Sequence, residues 1–279
     1  AMWRPTEPSV SVASKGMVSF SIEVTGAGRD LHSGRYGGTV ANAAQVLATV
    51  IASLHDDDGR VAVSGFYDGV HDLSPERRAE IDQVDFTEDG WLADVGAPQL
   101  HGEPGYSTLQ RLWERPTLEV NGLEAGGKYT VIPHLAKAHL SCRLVHEQDP
   151  VAVLAAITHH VESRQWQGVR VRVVSDDVGV PAYRVADDDP SIVSAVLALN
   201  EVYPGQQVLH TVIAGTLPCT TLFEEVLGAK TLFFSFSTAD ERLHAPNEFL
   251  RLPRITDGMR AWEVLWRNLA GASPGDFPR

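Results

Sequence analysis

From Met17 to Val24 the chain alternates without a break, with Val18, Phe20, Ile22 and Val24 on one side and Ser19, Ser21 and Glu23 on the other. Period two over this length marks a strand with one buried and one solvated face. A sheet built from such strands needs helices over its apolar side. Val40, Ala44, Leu47, Ile51 and Leu54 recur at helical spacing and supply one, ending in the polar run from His55 to Gly59. The stretch from Arg60 to Arg115 is mixed and reads as an insertion, with short helices opening at Ser74-Pro75-Glu76 and over Thr108 to Glu114. Strands are expected over Thr117 to Val120 and Ala136 to Val145, then a helix from Pro150 with Val153, Leu154, Ile157 and Val161 inward, and a strand over Val169 to Val174. The order βα(insertion)ββαβ predicts a ferredoxin-like α+β unit over residues 14–178, two helices on one face of a four-stranded antiparallel sheet.

The acidic, proline-containing stretch from Asp176 to Pro190 reads as a linker. Residues 179–279 form a second unit. It opens with a helix having Pro190 in its first turn and Ile192, Val193, Val196, Leu197 and Leu199 on its apolar side. A short helix over Pro218 to Leu227, a strand over Thr231 to Phe236, and a helix presenting Ile255, Met259, Trp262, Leu265 and Leu269 follow. This alternation suggests the edge of an α/β sheet with too few strands to stand alone. Residues 1–13 read as the end of an earlier segment of that domain. Within them Ala1 to Pro8 is expected to be a strand end and loop, and Ala1 before Met2 a tag remnant.

The formal net charge of −13 argues against a nucleic-acid or anionic-membrane partner, whose surfaces are themselves negative. No apolar run is long enough to span a bilayer. With only Cys142 and Cys219 there is no disulfide framework, and a reducing cytoplasm is the expected compartment.

Three segments carry chemistry. In Leu31-His32-Ser33-Gly34-Arg35-Tyr36-Gly37-Gly38 the glycines let a histidine-bearing backbone approach a ligand closely, although an incidental surface turn would look the same. Lys128-Tyr129-Thr130-Val131-Ile132-Pro133 leads to Ser141-Cys142-Arg143-Leu144-Val145 and Gln148-Asp149-Pro150, where Arg143 ends an apolar strand and can offer a planar fork to a carboxylate. Ala214-Gly215-Thr216-Leu217-Pro218 precedes Leu243-His244-Ala245-Pro246-Asn247-Glu248, in which a neutral imidazole beside a proline turn suits zinc. Other pairings are weaker. His55-Asp56-Asp57 lies in a charged helix end and Glu224-Glu225 on an ordinary helix. His159 and His160 are helix neighbours that diverge by about 100°.

Taken together, in this order and spacing, these segments resemble the cocatalytic zinc peptidases, a family that includes cytosolic dipeptidases, carnosinases and aminoacylases. The resemblance covers nearly the whole chain and is strongest to the dipeptidase branch. It implies a lid, or dimerisation, domain followed by the rear part of an α/β catalytic domain, and hydrolysis of dipeptides or N-acyl amino acids with two zinc or manganese ions. It assigns His244 as a metal ligand, His32 as the lid histidine that reaches into the neighbouring subunit and steadies the oxyanion, and Arg143 as the carboxylate-binding arginine. Thr130, Gly215 and Thr216 fall at substrate-contacting positions. The family's Gly-Gly-Ser-Ile-Pro stands here as Ala214 to Pro218, and Ala43 follows Asn42 where proline is usual. The remaining metal ligands and the Glu-Glu general base would precede Met2, so the chain by itself is expected to be inactive, with metal weakly held or absent. A homodimer through the lid is implied. The alternative is a non-enzymatic dimerisation or binding module descended from such a peptidase.

Overall fold

The computed structural model describes residues 2–175, 177–242 and 245–272. In chain order, β1 (Met2–Arg4) and β2 (Glu7–Ser14) lead into β3 (Gly16–Thr25), β4 (Leu31–His32), α1 (Ser33–Tyr36) and α2 (Ala43–Ala52). Helices α3 (Pro75–Asp82), α4 (Glu88–Val95) and α5 (Thr108–Glu114) follow, then β5 (Thr117–Ala125), β6 (Val131–Ile132), β7 (Leu135–Leu144), α6 (Pro150–Glu162) and β8 (Arg170–Val174). The last elements are β9 (Tyr183–Arg184), α7 (Pro190–Val202), β10 (Leu209–Ile213), α8 (Pro218–Leu227) and α9 (Leu252–Ala270). They fall into two compact units, Gly16–Ala182 and the combination of Ala1–Lys15 with Tyr183–Arg279.

In the unit Gly16–Ala182 a four-stranded sheet runs in the order β5-β7-β3-β8, every neighbour antiparallel. This is the ferredoxin-like arrangement that the element order predicts. The long central pair is in register from Gly16 opposite Leu144 to Thr25 opposite Leu135. Val18, Phe20, Ile22 and Val24 are buried, as are Ala136, Ala138, Leu140, Cys142 and Leu144 on β7. They meet Ala43, Leu47 and Val50 of α2 and Val153, Ile157 and Val161 of α6 in one core. Both helices are started by side chains: Asn42 Oδ1 accepts from the Ala44 and Gln45 amides, and Asp149 Oδ1 accepts from Val151 with Pro150 in the first turn.

The insertion closes on itself. Arg115 donates from Nε and Nη2 to the two oxygens of Glu103, each at 2.8 Å, and both side chains are buried. The Arg115 guanidinium also lies 5.3 Å from the Tyr67 ring and 4.4 Å from the Tyr106 ring. Arg60 lies 4.4 Å from the Tyr67 ring, and Arg78 sits 4.7 Å from Tyr106. The result is an alternating ladder of arginines and tyrosines, each contact a cation–π attraction. Helix α4 has no apolar periodicity and is not among the predicted helices. Its caps hold it, with the Thr87 hydroxyl accepting from Gly90 N–H and Gly96 at φ 67° ending it.

In the other unit β2 is central. It pairs antiparallel with β1 and β9 and parallel with β10, from Ser9 opposite Leu209 to Ser14 opposite Ile213. The chain start is thus strand rather than strand end and loop, and the predicted linker contains β9, whose Tyr183 is buried. The expected strand over Thr231 to Phe236 does not form. Phe233 makes one isolated bridge to Ser11, and the segment is held by rings instead. Phe234 meets Trp262 and Phe236 edge-on, and Tyr183 meets Phe233 likewise. Helix α7 packs on α9 through Ile192, Ala195, Ala198 and Leu199 against Ala261, Val264 and Leu265. Val193, Leu197, Ile255, Met259 and Trp262, expected on the apolar sides of these helices, are exposed, while the small residues Ala195, Ala198 and Ala261 are fully buried in the shared core and Gly258 is buried against Phe236. No described helix is long and apolar enough to cross a membrane.

Candidate functional site: the His32 loop

His32 lies in a two-residue strand that the chain builds by pairing over a distance of a hundred residues. Leu31 stands opposite Ile132 and His32 opposite Val131. The Ser33 amide then donates to the Thr130 carbonyl at 3.1 Å, so His32 and Thr130 belong to one construction. The loop is tied at its base by Gly26 N–H to the His134 carbonyl (2.8 Å). Asp30 Oδ1 accepts twice from His134, from the backbone amide at 3.0 Å and from Nδ1 at 2.6 Å. These bonds hold the exposed Asp30 carboxyl below the ordinary aspartate range. Neither Asp30 nor His134 stood out in the sequence, and the Asp-x-His and Pro-His spacings beside the two motifs are the signal they leave.

The orientation of the imidazole is set locally. Gly34 N–H donates to His32 Nδ1 at 3.1 Å. An accepting Nδ1 leaves the ring proton of a neutral imidazole on Nε2, which becomes the donor toward solvent. A side chain at position 34 would intrude, since a Cβ there would lie 3.2 Å from His32 Cε1. Around the imidazole Arg29, Asp30, Arg35 and Tyr36 line a pocket of about 620 Å³.

Arg143 is elsewhere in the same unit. It is half-buried on β7, opposite Met17 on one side and Thr117 on the other. The loop with Thr130 precedes Leu135 at the far end of that strand. From Leu135 to Arg143 an extended strand covers about 26 Å. A dipeptide spans only about 7 Å. One copy therefore does not offer His32 and Arg143 to the same small substrate. The Gln148-Asp149-Pro150 stretch has structural work: Gln148 Oε1 accepts from Val145 N–H, its Nε2 donates to the Phe66 carbonyl, and Asp149 caps α6.

Gly215 and Thr216 lie in the other unit, in the turn between β10 and α8, Gly215 exposed and Thr216 half-buried. Among the described residues a Cβ on Gly215 would meet only Ile213 Cγ2, at 3.8 Å. His244 lies outside the described residues. The segments flanking it are joined by Arg251, which donates to Glu241 Oε1 at 3.3 Å and pairs with Asp240. This partner holds the Asp240 carboxyl below its ordinary range. Among the described residues no three histidine, cysteine, aspartate or glutamate side chains come together as a metal site, so these residues do not fit a zinc pair.

The chain is similar to known proteins. The model of the peptidase dimerisation domain matches residues 12–168. The chain is 26% identical to the Cys-Gly metallodipeptidase dug1 of Schizosaccharomyces pombe, over 98% of this chain and 58% of that protein. It is 24% identical to the human Beta-Ala-His dipeptidase, over 95% of this chain and 53% of the relative. Among solved structures, the M20 family metallo-carboxypeptidase Sso-CP2 from Sulfolobus solfataricus superposes with a TM-score of 0.80 at 27% identity, over 95% of this chain and 61% of the other. The chain thus spans somewhat more than half the length of the relatives it matches. With most of its length covered by the family model, the chain belongs to the M20 peptidase dimerisation-domain family.

Proposed function

We propose that this chain serves the hydrolysis of dipeptides or N-acyl amino acids in a metal-dependent peptidase of the cytoplasm, acting as a homodimer paired through the unit Gly16–Ala182. The observation that carries the reading is the His32 loop. Its Nδ1 is occupied by Gly34 N–H, so Nε2 is left as a fixed donor toward an approaching oxyanion. Arg143 takes the substrate carboxylate, and Thr130, Gly215 and Thr216 contact the substrate. The separation of His32 from Arg143 along β7 supports a shared site in which the two come from different copies. Two zinc or manganese ions are the proposed cofactor, with His244 one ligand. Because the described residues do not assemble the remaining ligands, the chain alone is proposed to be inactive and to hold far less than two ions.

The test is elemental analysis and dipeptidase assay of the purified chain in zinc and in manganese. Two tightly held ions with turnover would refute the inactivity. Activity restored when the chain is combined with a polypeptide supplying the missing carboxylates would support the enzymatic reading over that of a non-enzymatic dimerisation module. Failure of that restoration in a correctly folded complex would favour the module.

A further inference from the structure

We propose that the pocket beside His32 selects substrates bearing a second carboxylate, with Arg29 and Arg35 as its specificity-determining residues. The inference rests on the reading that His32 faces substrate, and it adds the chemical class that the loop would prefer.

The depression beside His32, about 620 Å³ and broadly open to solvent, has room for one small polar group of a ligand. Its charge is unusual for this molecule. The chain carries 36 acidic against 23 basic side chains, yet Arg29 and Arg35 both line the cavity without a described carboxylate partner. Asp30, the acid that lines the pocket with them, is already engaged by two donors of His134 and lies between the arginines in sequence without pairing with either. The local sum is one net positive charge on a surface whose total is −13. An anionic ligand repelled by the molecule at large is drawn to such a place.

The arginines are also placed for recognition. The Arg35 guanidinium lies 5.5 Å from the ring centroid of Tyr36, within cation–π reach, a contact that uses none of the N–H donors it can offer to a carboxylate. The loop under both residues is fixed by the β4–β6 pairing and by the His134 bonds. With Arg143 assigned to the substrate's terminal carboxylate, a second cationic pair near the imidazole matches a second acidic group on the same substrate.

The experiment titrates the ¹⁵N-labelled chain with N-acetyl-L-glutamate and, separately, with N-acetyl-L-glutamine, which differs by one carboxylate. The arginine Nε–H signals and the His32 imidazole are followed. The acid should bind roughly five- to tenfold more tightly, as expected of accessible guanidinium–carboxylate pairs. An Arg29→Gln/Arg35→Gln variant should bind both ligands equally. Both positions are exposed, and an unchanged amide spectrum outside the loop verifies that the variant is folded. Equal affinities in the parent chain would overturn the proposal, as would a preference that survives in the double variant. Movement of the arginine signals with a silent His32 would detach the anion pocket from the imidazole and overturn the substrate assignment. Because the readout is binding alone, these outcomes are independent of whether His32 proves to act in hydrolysis.

Discussion

Asp30 receives two hydrogen bonds from one residue, His134, and through them the His32 loop is fastened to the segment that carries Thr130. The depressed carboxyl of Asp30 means that this fastening is complete above the ordinary aspartate value of 3.8 and is lost as pH falls through the lower folded value. The protection of the Ser33 amide, taken relative to its intrinsic exchange rate at each pH, should be high at neutral pH and fall in that acidic window. Asp30→Asn should abolish that fall. Protection that is flat across the window in the parent chain would show that the bond does not hold the loop.

Gly34→Ala tests the orientation of the imidazole. The new Cβ, 3.2 Å from His32 Cε1, forces the ring to give by a few tenths of an ångström and strains the Gly34 N–H bond to Nδ1. The ¹⁵N shifts of His32 should move toward mixed tautomers, while the core amide spectrum stays as it was. In an active dimer a displaced donor of this kind is expected to cost roughly ten- to a hundredfold in kcat. An unchanged imidazole spectrum would mean that Gly34 does not set the tautomer.

In an active enzyme completed by the metal-binding carboxylates and the general base, His32→Ala and Arg143→Ala should separate in kinetics. A donor that meets charge only in the transition state acts on kcat, by about 100- to 1,000-fold. Loss of Arg143 should raise KM for substrates with a free carboxylate and leave esters or amides of that group nearly unaffected. If the site is shared, mixing inactive His32→Ala chains with chains lacking the general base should restore up to one working site per heterodimer. Demonstrated subunit exchange without recovery would place His32 and Arg143 in one copy, against the separation along β7.

Arg115→Ala should destabilise the unit Gly16–Ala182 by about 1–3 kcal/mol, because the buried Glu103 would lose both of its short hydrogen bonds and keep only the half-exposed Arg60, 3.4 Å away, as an ion partner. Urea unfolding measures the loss. Replacing the pair by Arg115→Met and Glu103→Leu should recover most of it. A single variant as stable as the parent would show that the pair contributes little.

The lid strands and helices were legible because each keeps one face wet, so that polarity reports burial at Val18, Phe20, Ile22 and Val24. β2 and β10 lack that contrast. β2 buries Ser9 and Ser14 as well as Val10 and Val12, and β10 buries Thr211 beside Leu209 and Val212. The run from Thr231 to Phe236 erred in the other direction. It has strand composition, but a strand needs a partner along its length, and here aromatic contacts replace the ladder. At the site the motif histidine and threonine were readable, whereas their union was not. It depends on a two-residue pairing between segments remote in sequence, and no local period encodes such a pairing.

The ladder of arginines and tyrosines joins the entry of the insertion, at Arg60 and Tyr67, to its exit at Arg115. A polypeptide stapled at its base in this way transmits little strain to the sheet beneath. The residues hanging beyond that staple are free to lengthen, shorten or change composition over evolutionary time while the pairing of β5, β7 and β3 stays the same, and lineages can rework this outgrowth without paying in the stability of the scaffold.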